Sequence, residues 1–491
     1  MPFALIPFLL LLFGLALVLV CDLFKPNPNR SYRLSLFTVA AATISQLFAL
    51  GNSLLVSGGQ VQLWKPIEQV LQFDVLSQCF SLLVLILTFL SLGISRKSFD
   101  EEERCSGEYY ALFLTAALGA VIVAHAEELL SFFLAFEMLS IPLYVLVGFR
   151  RYHRKSSEAG LKYFLSGALS SAVFLFGASW IFGATGTTNY YQIAKELGQG
   201  HQQPLVLGLL MVIGAFAFKM AAAPFHMWAP DAYEGSPIPV TAFLSSVPKV
   251  AMLAASIRLF LALTDILSYE IMIILAALAI LSIILGNLVA LTQRELTRLM
   301  AYSGVAQIGY LFIGLSALVG LEGAGRPDLA QGALGSLFFY LIIYTITNLA
   351  LWIILLTVSK SRGSTQLDAF NGLSESSPFL AMSLLVAVFS LAGVPPLAGF
   401  VGKLYLFRAA FYSQPLMAVF GVIGSVISLY YYFNILRRCY FLRPASHQDK
   451  IELSVPTRLI LIALLALTLT GGLIPNFAKT CFYLAERMLI I

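Results

Sequence analysis

Residues 3–20 read FALIPFLLLLFGLALVLV, with no charged side chain in the run. A helix rises 1.5 Å per residue, so about 20 such residues match the roughly 30 Å hydrocarbon core of a bilayer. Comparable runs recur to the end of the chain, at about 3–20, 34–56, 73–94, 109–124, 129–148, 161–183, 205–230, 238–263, 271–292, 299–319, 333–359, 379–411, 415–436 and 459–474. The pattern predicts an all-α polytopic membrane protein of about 14 transmembrane helices. Composition agrees: of 491 residues 59% are hydrophobic and 11% charged, against roughly 25% charged in soluble domains. The first run is followed by CDLFKPNPNR and lacks a basic leader and a small-residue cleavage site, so it reads as a retained span. The linkers are too short for a soluble domain.

Orientation follows from lysine and arginine, which accumulate in cytoplasmic loops. Loops after odd-numbered spans hold 20 of the 30 basic residues, among them Lys25, Arg30, Arg150, Arg151, Arg154, Arg294 and Arg438. The other side holds six: Lys65, Lys195, Arg326, Arg408, Lys479 and Arg487. Both termini are therefore expected on the non-cytoplasmic side. The net charge of +5 follows from this asymmetry and calls for no nucleic-acid partner.

Four basic residues remain, all inside spans: Lys219, Lys249, Arg258 and Lys403. An ionisable group at the bilayer centre costs roughly 2.5–3.5 kcal/mol on insertion scales, so such groups face protein or water and mark ion paths. Arg258 lies near a span end, where it can snorkel or pair with Asp265. The three lysines are too deep for that. Among the acids, Glu137 in SFFLAFEMLSIPLYVL sits comparably deep.

Redox chemistry within the chain finds no framework. Cys21, Cys79, Cys105, Cys439 and Cys481 are scattered without a CxxC, and His125, His153, His201 and His447 lie at or beyond span ends. No Walker loop or GxGxxG is present. The expected assignment is no catalytic, cofactor-binding or metal-binding residue.

Two spans are interrupted by proline, in KMAAAPFHMWAPDAY and in LAGVPPLAGFVGKLYLF, at equivalent places in successive blocks of five spans. Proline removes an N–H and clashes with the preceding turn, freeing carbonyls. An odd number of spans per block inverts the second copy. Inverted repeats with broken helices at matching positions point to an ion site near the midplane. The expected organisation is three N-terminal helices (1–108), a first five-helix repeat (109–263), an inverted second repeat (271–436) and a closing segment with the last helix and a tail (437–491), each repeat containing a broken helix.

The motifs APFHMWAPDAYEGSPIPVTAFLSSVPKVA, LSIILGNLVALTQRELTRLMAYSGVAQIGY and SLAGVPPLAGFVGKLYLF resemble the antiporter-like membrane subunits of respiratory complex I, and among them subunit N, also called subunit 2, of NADH-quinone oxidoreductase. Tyr233 in PDAYEGSP, where sister subunits L and M carry a Met-Glu-Gly-Pro-Thr pattern, favours N; Lys403 in place of an acid argues against M, and the chain ends without the long lateral helix expected of L. The resemblance implies that Glu137 pairs with Lys219, that Lys249 is a central lysine, that Lys403 is the exit lysine, and that His226 follows the first break. It also implies proton translocation along a hydrated axis, driven by quinone reduction elsewhere in the complex. Flavin, iron–sulfur clusters and quinone would then belong to partner subunits, and the partners would be other membrane-arm subunits, including sister antiporter-like ones, in a bacterial inner membrane.

Lysine suits a proton relay because its ammonium changes pKa readily on desolvation, whereas guanidinium does not release its proton. His226, with an ordinary pKa near 6.5, could pass a proton onward. A rival reading is a subunit of an Mrp-type cation/proton antiporter or of a membrane-bound hydrogenase. Another is a membrane anchor whose buried charges only hold helices together.

Overall fold

The computed structural model describes residues 2–55, 67, 70–96, 107–196, 202–443 and 450–489. Lys65, Lys97, Arg104, Cys105, His201 and His447 lie outside the described residues. Every regular element among the described residues is a helix, and twelve helices are long and apolar enough to cross a membrane. Two shorter apolar helices, described below, end at the proline-containing interruptions.

Contacts divide the chain into two units. Unit 1 comprises 1–220, 235–271 and 484–491. It contains α1 (Ile6–Phe24), α2 (Pro28–Leu55), α3 (Val75–Ser95), α4 (Gly107–His125), α5 (Leu129–Val147), α6 (Arg154–Thr185), the short α7 (Tyr190–Glu196) and α8 (Gln202–Lys219). Small residues set its closest crossings: a Cβ on Gly119 of α4 would stand 2.5 Å from the Leu139 nitrogen of α5, and one on Gly177 of α6 would stand 2.7 Å from the Gly208 carbonyl of α8.

After α8 come α9 (Trp228–Gly235), α10 (Ile238–Leu244) and α11 (Val247–Ala262), which packs on α3 and α4. The sequence reads 238–263 as one span, but the helix is interrupted at Ser245 and Ser246, whose hydroxyls bond the Ala242 carbonyl at 3.1 and 2.6 Å. Such side-chain bonds compete with the helical ladder.

Unit 2 comprises 221–234 and 272–483. It holds most of α12 (Thr264–Ala290, kinked at Leu267), then α13 (Leu296–Gly323), α14 (Pro327–Arg362), a single turn α15 (Leu373–Ser376), α16 (Pro378–Ala392), α17 (Ala398–Ser413), α18 (Pro415–Phe441) and α19 (Val455–Leu473). The expected tail is a further helix, α20 (Pro475–Met488), which buries Ala478, Cys481, Ala485 and Met488 along one stripe. Its charges make it too polar to register as an apolar run.

One local design occurs once in each unit. The first free amide of α5, Leu129 N, donates to Thr188 O at 2.9 Å, Tyr190 N returns a bond to Glu127 O at 3.1 Å, and the Thr188 hydroxyl donates to Glu128 Oε2 at 3.0 Å. In unit 2, Leu296 N of α13 donates to Thr365 O at 3.1 Å, Leu367 N to Arg294 O at 2.9 Å, and the Thr365 hydroxyl to Glu295. Both clasps follow a helix ended by a left-handed glycine, Gly186 (φ 69°) or Gly363 (φ 66°). Each supplies a partner to an otherwise orphan helix-start amide.

Candidate functional site

Lys219 is the last residue of α8, where the negative end of the helix favours a cation. The chain then turns through Ala221 (φ 59°), a left-handed conformation that costs an L-residue about 1–2 kcal/mol, and reaches Pro224 three residues on. The lysine is 2% exposed. Its ammonium donates to Tyr163 Oη at 3.1 Å and lies 5.1, 5.1 and 5.2 Å from the ring centres of Phe136, Tyr144 and Tyr163. Desolvated cation–π contacts of this kind contribute up to about 2 kcal/mol each. Glu137, half-buried one residue after Phe136 on α5, accepts a hydrogen bond from Ser171 Oγ of α6. It lies within electrostatic reach of Lys219. The two are not joined by a direct ion pair: each bonds a hydroxyl of α6. Tyr163 and Ser171 were not singled out by the sequence, because a tyrosine and a serine in an apolar run carry no transfer penalty large enough to mark them.

Lys249 occupies the first turn of α11, just after the Ser245–Ser246 interruption, and is 2% exposed. The positive end of a helix disfavours a cation there, and the Cα–Cβ bond tilts toward that end. His226, 5% exposed, lies in unit 2 between the first break and α9, with the Tyr302 ring edge-on at 6.0 Å. Downstream on α9, Asp231 and Glu234 receive Arg298 of α13 at 2.6 and 3.0 Å.

The second break repeats the geometry of the first: α16 ends at Ala392, Gly393 is left-handed (φ 85°), and Pro396 follows three residues on. Lys403 of α17 returns to this end. Its ammonium donates to Leu391 O at 2.9 Å and Ala392 O at 3.1 Å and lies 4.5 Å from the Tyr310 ring centre. The carbonyls that proline frees are thus the lysine's partners. Leu391 O also accepts Gln307 Nε2 at 3.3 Å, and Gln307 in turn accepts from Tyr340 Oη and reaches Tyr432 Oη at 3.4 Å, itself 2.5 Å from Ser303 Oγ. A glutamine inside the run SGVAQIGY was the available signal for this buried network.

Arg258 corrects the sequence reading. It neither snorkels nor pairs with Asp265: it is 1% exposed and donates to Asp74 Oδ1 at 2.9 Å and to Gln72 Oε1. The partner lies 184 positions away, beyond what local spacing reveals. Among the described residues no group of three or more histidine, cysteine or acidic side chains could hold a metal ion.

The family profile described as NADH:quinone oxidoreductase/Mrp antiporter, TM, matches residues 126–428, a stretch that contains all five singled-out residues. NADH-quinone oxidoreductase subunit N of Desulfitobacterium hafniense is 37% identical over 440 residues, covering 87% of this chain and 86% of that one. Subunit N of Trichlorobacter lovleyi is 36% identical, covering 94% and 92%. The chain belongs to the subunit N family of NADH-quinone oxidoreductase. Among solved structures, a chain of respiratory complex I from Thermus thermophilus matches this subunit N family member with TM-score 0.79 and 32% identity over 96% of this chain and 98% of that one. A chain of the Mrp complex of Dietzia, 23% identical with TM-score 0.83 over 99% and 97%, shares the fold.

Proposed function

We propose that this chain is a proton-translocating membrane-arm subunit of NADH-quinone oxidoreductase, moving protons through buried Lys219, Lys249, Lys403 and His226 and half-buried Glu137 while quinone reduction elsewhere supplies the energy. The observation that carries the reading is the environment of Lys219: a cation enclosed by three aromatic rings, with one hydroxyl partner and a carboxylate within electrostatic reach but not in contact. Such an ammonium is poised to change charge as Glu137 approaches or recedes. Lys249 stands at a positive helix end and Lys403 on freed carbonyls at a negative one. Against about 100 mV each proton needs about 2.3 kcal/mol, which quinone reduction in partner subunits would supply.

The paired clasps and paired left-handed breaks support two inverted five-helix repeats, 109–263 and 271–436, within fourteen crossings. The basic-loop asymmetry supports both termini, and the 126–128 and 186–189 loops, on the non-cytoplasmic side. The Mrp-type alternative shares the fold, but the relatives at 36–37% identity carry the subunit N name. Lys219→Ala is expected to abolish most proton translocation by the assembled complex at near-normal subunit levels, with Glu137→Gln milder because it removes the tuning partner and keeps the carrier. Proton uptake measured in membrane vesicles decides this, and wild-type pumping in Lys219→Ala would remove the assigned role.

A further inference from the structure

Three extended stretches of unit 1 lie side by side. Gln72 N donates to His125 O at 2.8 Å and Glu127 N to Val70 O at 3.1 Å, while on the other edge Tyr190 N donates to Glu127 O at 3.1 Å. The clip gathers Asp74, His125, Glu127, Tyr190 and Tyr191 within electrostatic reach of the Arg258 guanidinium. Asp74 also caps α3, accepting Ser77 N at 2.8 Å. His125 directs Nδ1 at Val121 O, 2.9 Å away, and its ring lies 5.0 Å from that of Phe8 and 4.8 Å from that of Phe73.

Four polar atoms of this cluster, Asp74 Oδ2, His125 Nε2, Tyr190 Oη and Arg258 Nε, are buried and bond no other protein group. Each such atom costs about 1–3 kcal/mol if it stays unsatisfied. Buried polar atoms without a protein partner are the groups that ordered water serves, at two to four per molecule. Glu127 is the half-exposed member of the cluster. The groups facing it are Asp74, Arg258, Tyr190 and Tyr191, with His125 and Glu128 flanking it.

We propose that this cluster is a hydrated proton-exchange site at the non-cytoplasmic end of unit 1, in which Glu127 exchanges a proton with the adjoining aqueous phase and the Arg258–Asp74 pair fixes the polar groups around it. The step is a proton transfer alone: an O–H bond of a hydronium beside Glu127 breaks as the Glu127 carboxyl O–H forms, and the reverse releases the proton to outside water. Arg258 keeps its proton throughout and acts as a fixed charge. Burial pushes the Glu127 carboxyl up to about 7, with Arg258 opposing and Asp74 adding to the rise, so the group is divided between its two forms near neutral pH.

The site's sidedness rests on the proposed orientation, but its test does not need pumping. Infrared pH titration of the purified complex is expected to show a protonated-carboxyl band lost near neutral pH in the wild type and missing in Glu127→Gln. The double variant Asp74→Leu with Arg258→Met removes both charges together, avoiding the lone buried charge that makes single removals costly, and is expected to raise the midpoint of that band, since of the two opposed influences the Arg258 one is the larger. A band unchanged in Glu127→Gln, or a midpoint unmoved in the double variant, overturns the site. So does wild-type proton release at the outer face of Glu127→Gln vesicles, read with a surface pH dye. Normal pumping in Lys219→Ala with the Glu127 band present would sink the relay reading and leave this site standing.

Discussion

At the scale of single residues, transfer cost made the three lysines and Glu137 legible, because nothing else in a run of leucine and phenylalanine is so expensive to bury. Their partners were not legible. Tyr163 is 56 positions from Lys219, and Asp74 is 184 from Arg258, so only the fold brings them together. For Lys403, the two carbonyl bonds and the Tyr310 face separate anchoring from titration. Lys403→Arg keeps the charge and can satisfy Leu391 O and Ala392 O, yet stays protonated. The expected result is a large loss of membrane-potential generation with NADH oxidation slowed and subunit levels normal; wild-type values for both would make Lys403 a packing residue. Glu127 gives a pH prediction. Its carboxyl is held above its ordinary value, up to about 7, chiefly by burial, so its contribution to stability is complete below the unfolded value and is lost as pH rises through about 7. The inactivation temperature of the complex is expected to fall between about pH 5 and about pH 8, and Glu127→Gln to lessen that fall; an equal fall in both would contradict the shifted carboxyl.

Elements were readable where proline punctuates them. Pro224 and Pro396 announced both broken helices, whereas Pro248, the second residue of α11 after the Ser245–Ser246 interruption, was read through as part of one span, and α20 is too polar to stand out. The second break also depends on a close approach that composition does not mark. A Cβ on Gly399, in the first turn of α17, would lie 1.8 Å from the Ser390 carbonyl of α16, while one on Gly332 of α14 would meet nothing within 4 Å. In a helix Gly→Ala ordinarily stabilises by about 0.5–1 kcal/mol. Gly332→Ala is therefore expected to be neutral or mildly stabilising, and Gly399→Ala to push α17 from the end of α16 and lower both assembly and the activity that depends on Lys403. Equal tolerance of the two, measured as subunit recovery in membranes, would show that the break is looser than its geometry.

For the whole molecule, the apolar runs foretold a membrane protein, but which surfaces meet lipid and which meet protein was not in the periodicity, since both are apolar. On α5 the residues Leu130, Leu134, Ile141 and Val145 are 54, 63, 55 and 50% exposed, and half-buried Glu137 lies within this stripe. A stripe of leucine, isoleucine and valine suits lipid, whereas a carboxylate at that depth costs roughly 2.5–3.5 kcal/mol unless protein or water meets it. Another membrane subunit of the complex, seated over Glu137, would supply that cover. Cysteines placed at Leu134 and at Ile141, one helical turn to either side, are then expected to crosslink to a neighbouring membrane-arm subunit in intact membranes, while a cysteine at exposed Phe37 of α2 serves as the comparison. Crosslinks at both α5 positions with normal pumping would identify the neighbour. Labelling of Leu134→Cys and Ile141→Cys by a lipid-phase reagent, with no crosslinked product, would mean that this stripe faces lipid and that water alone solvates Glu137.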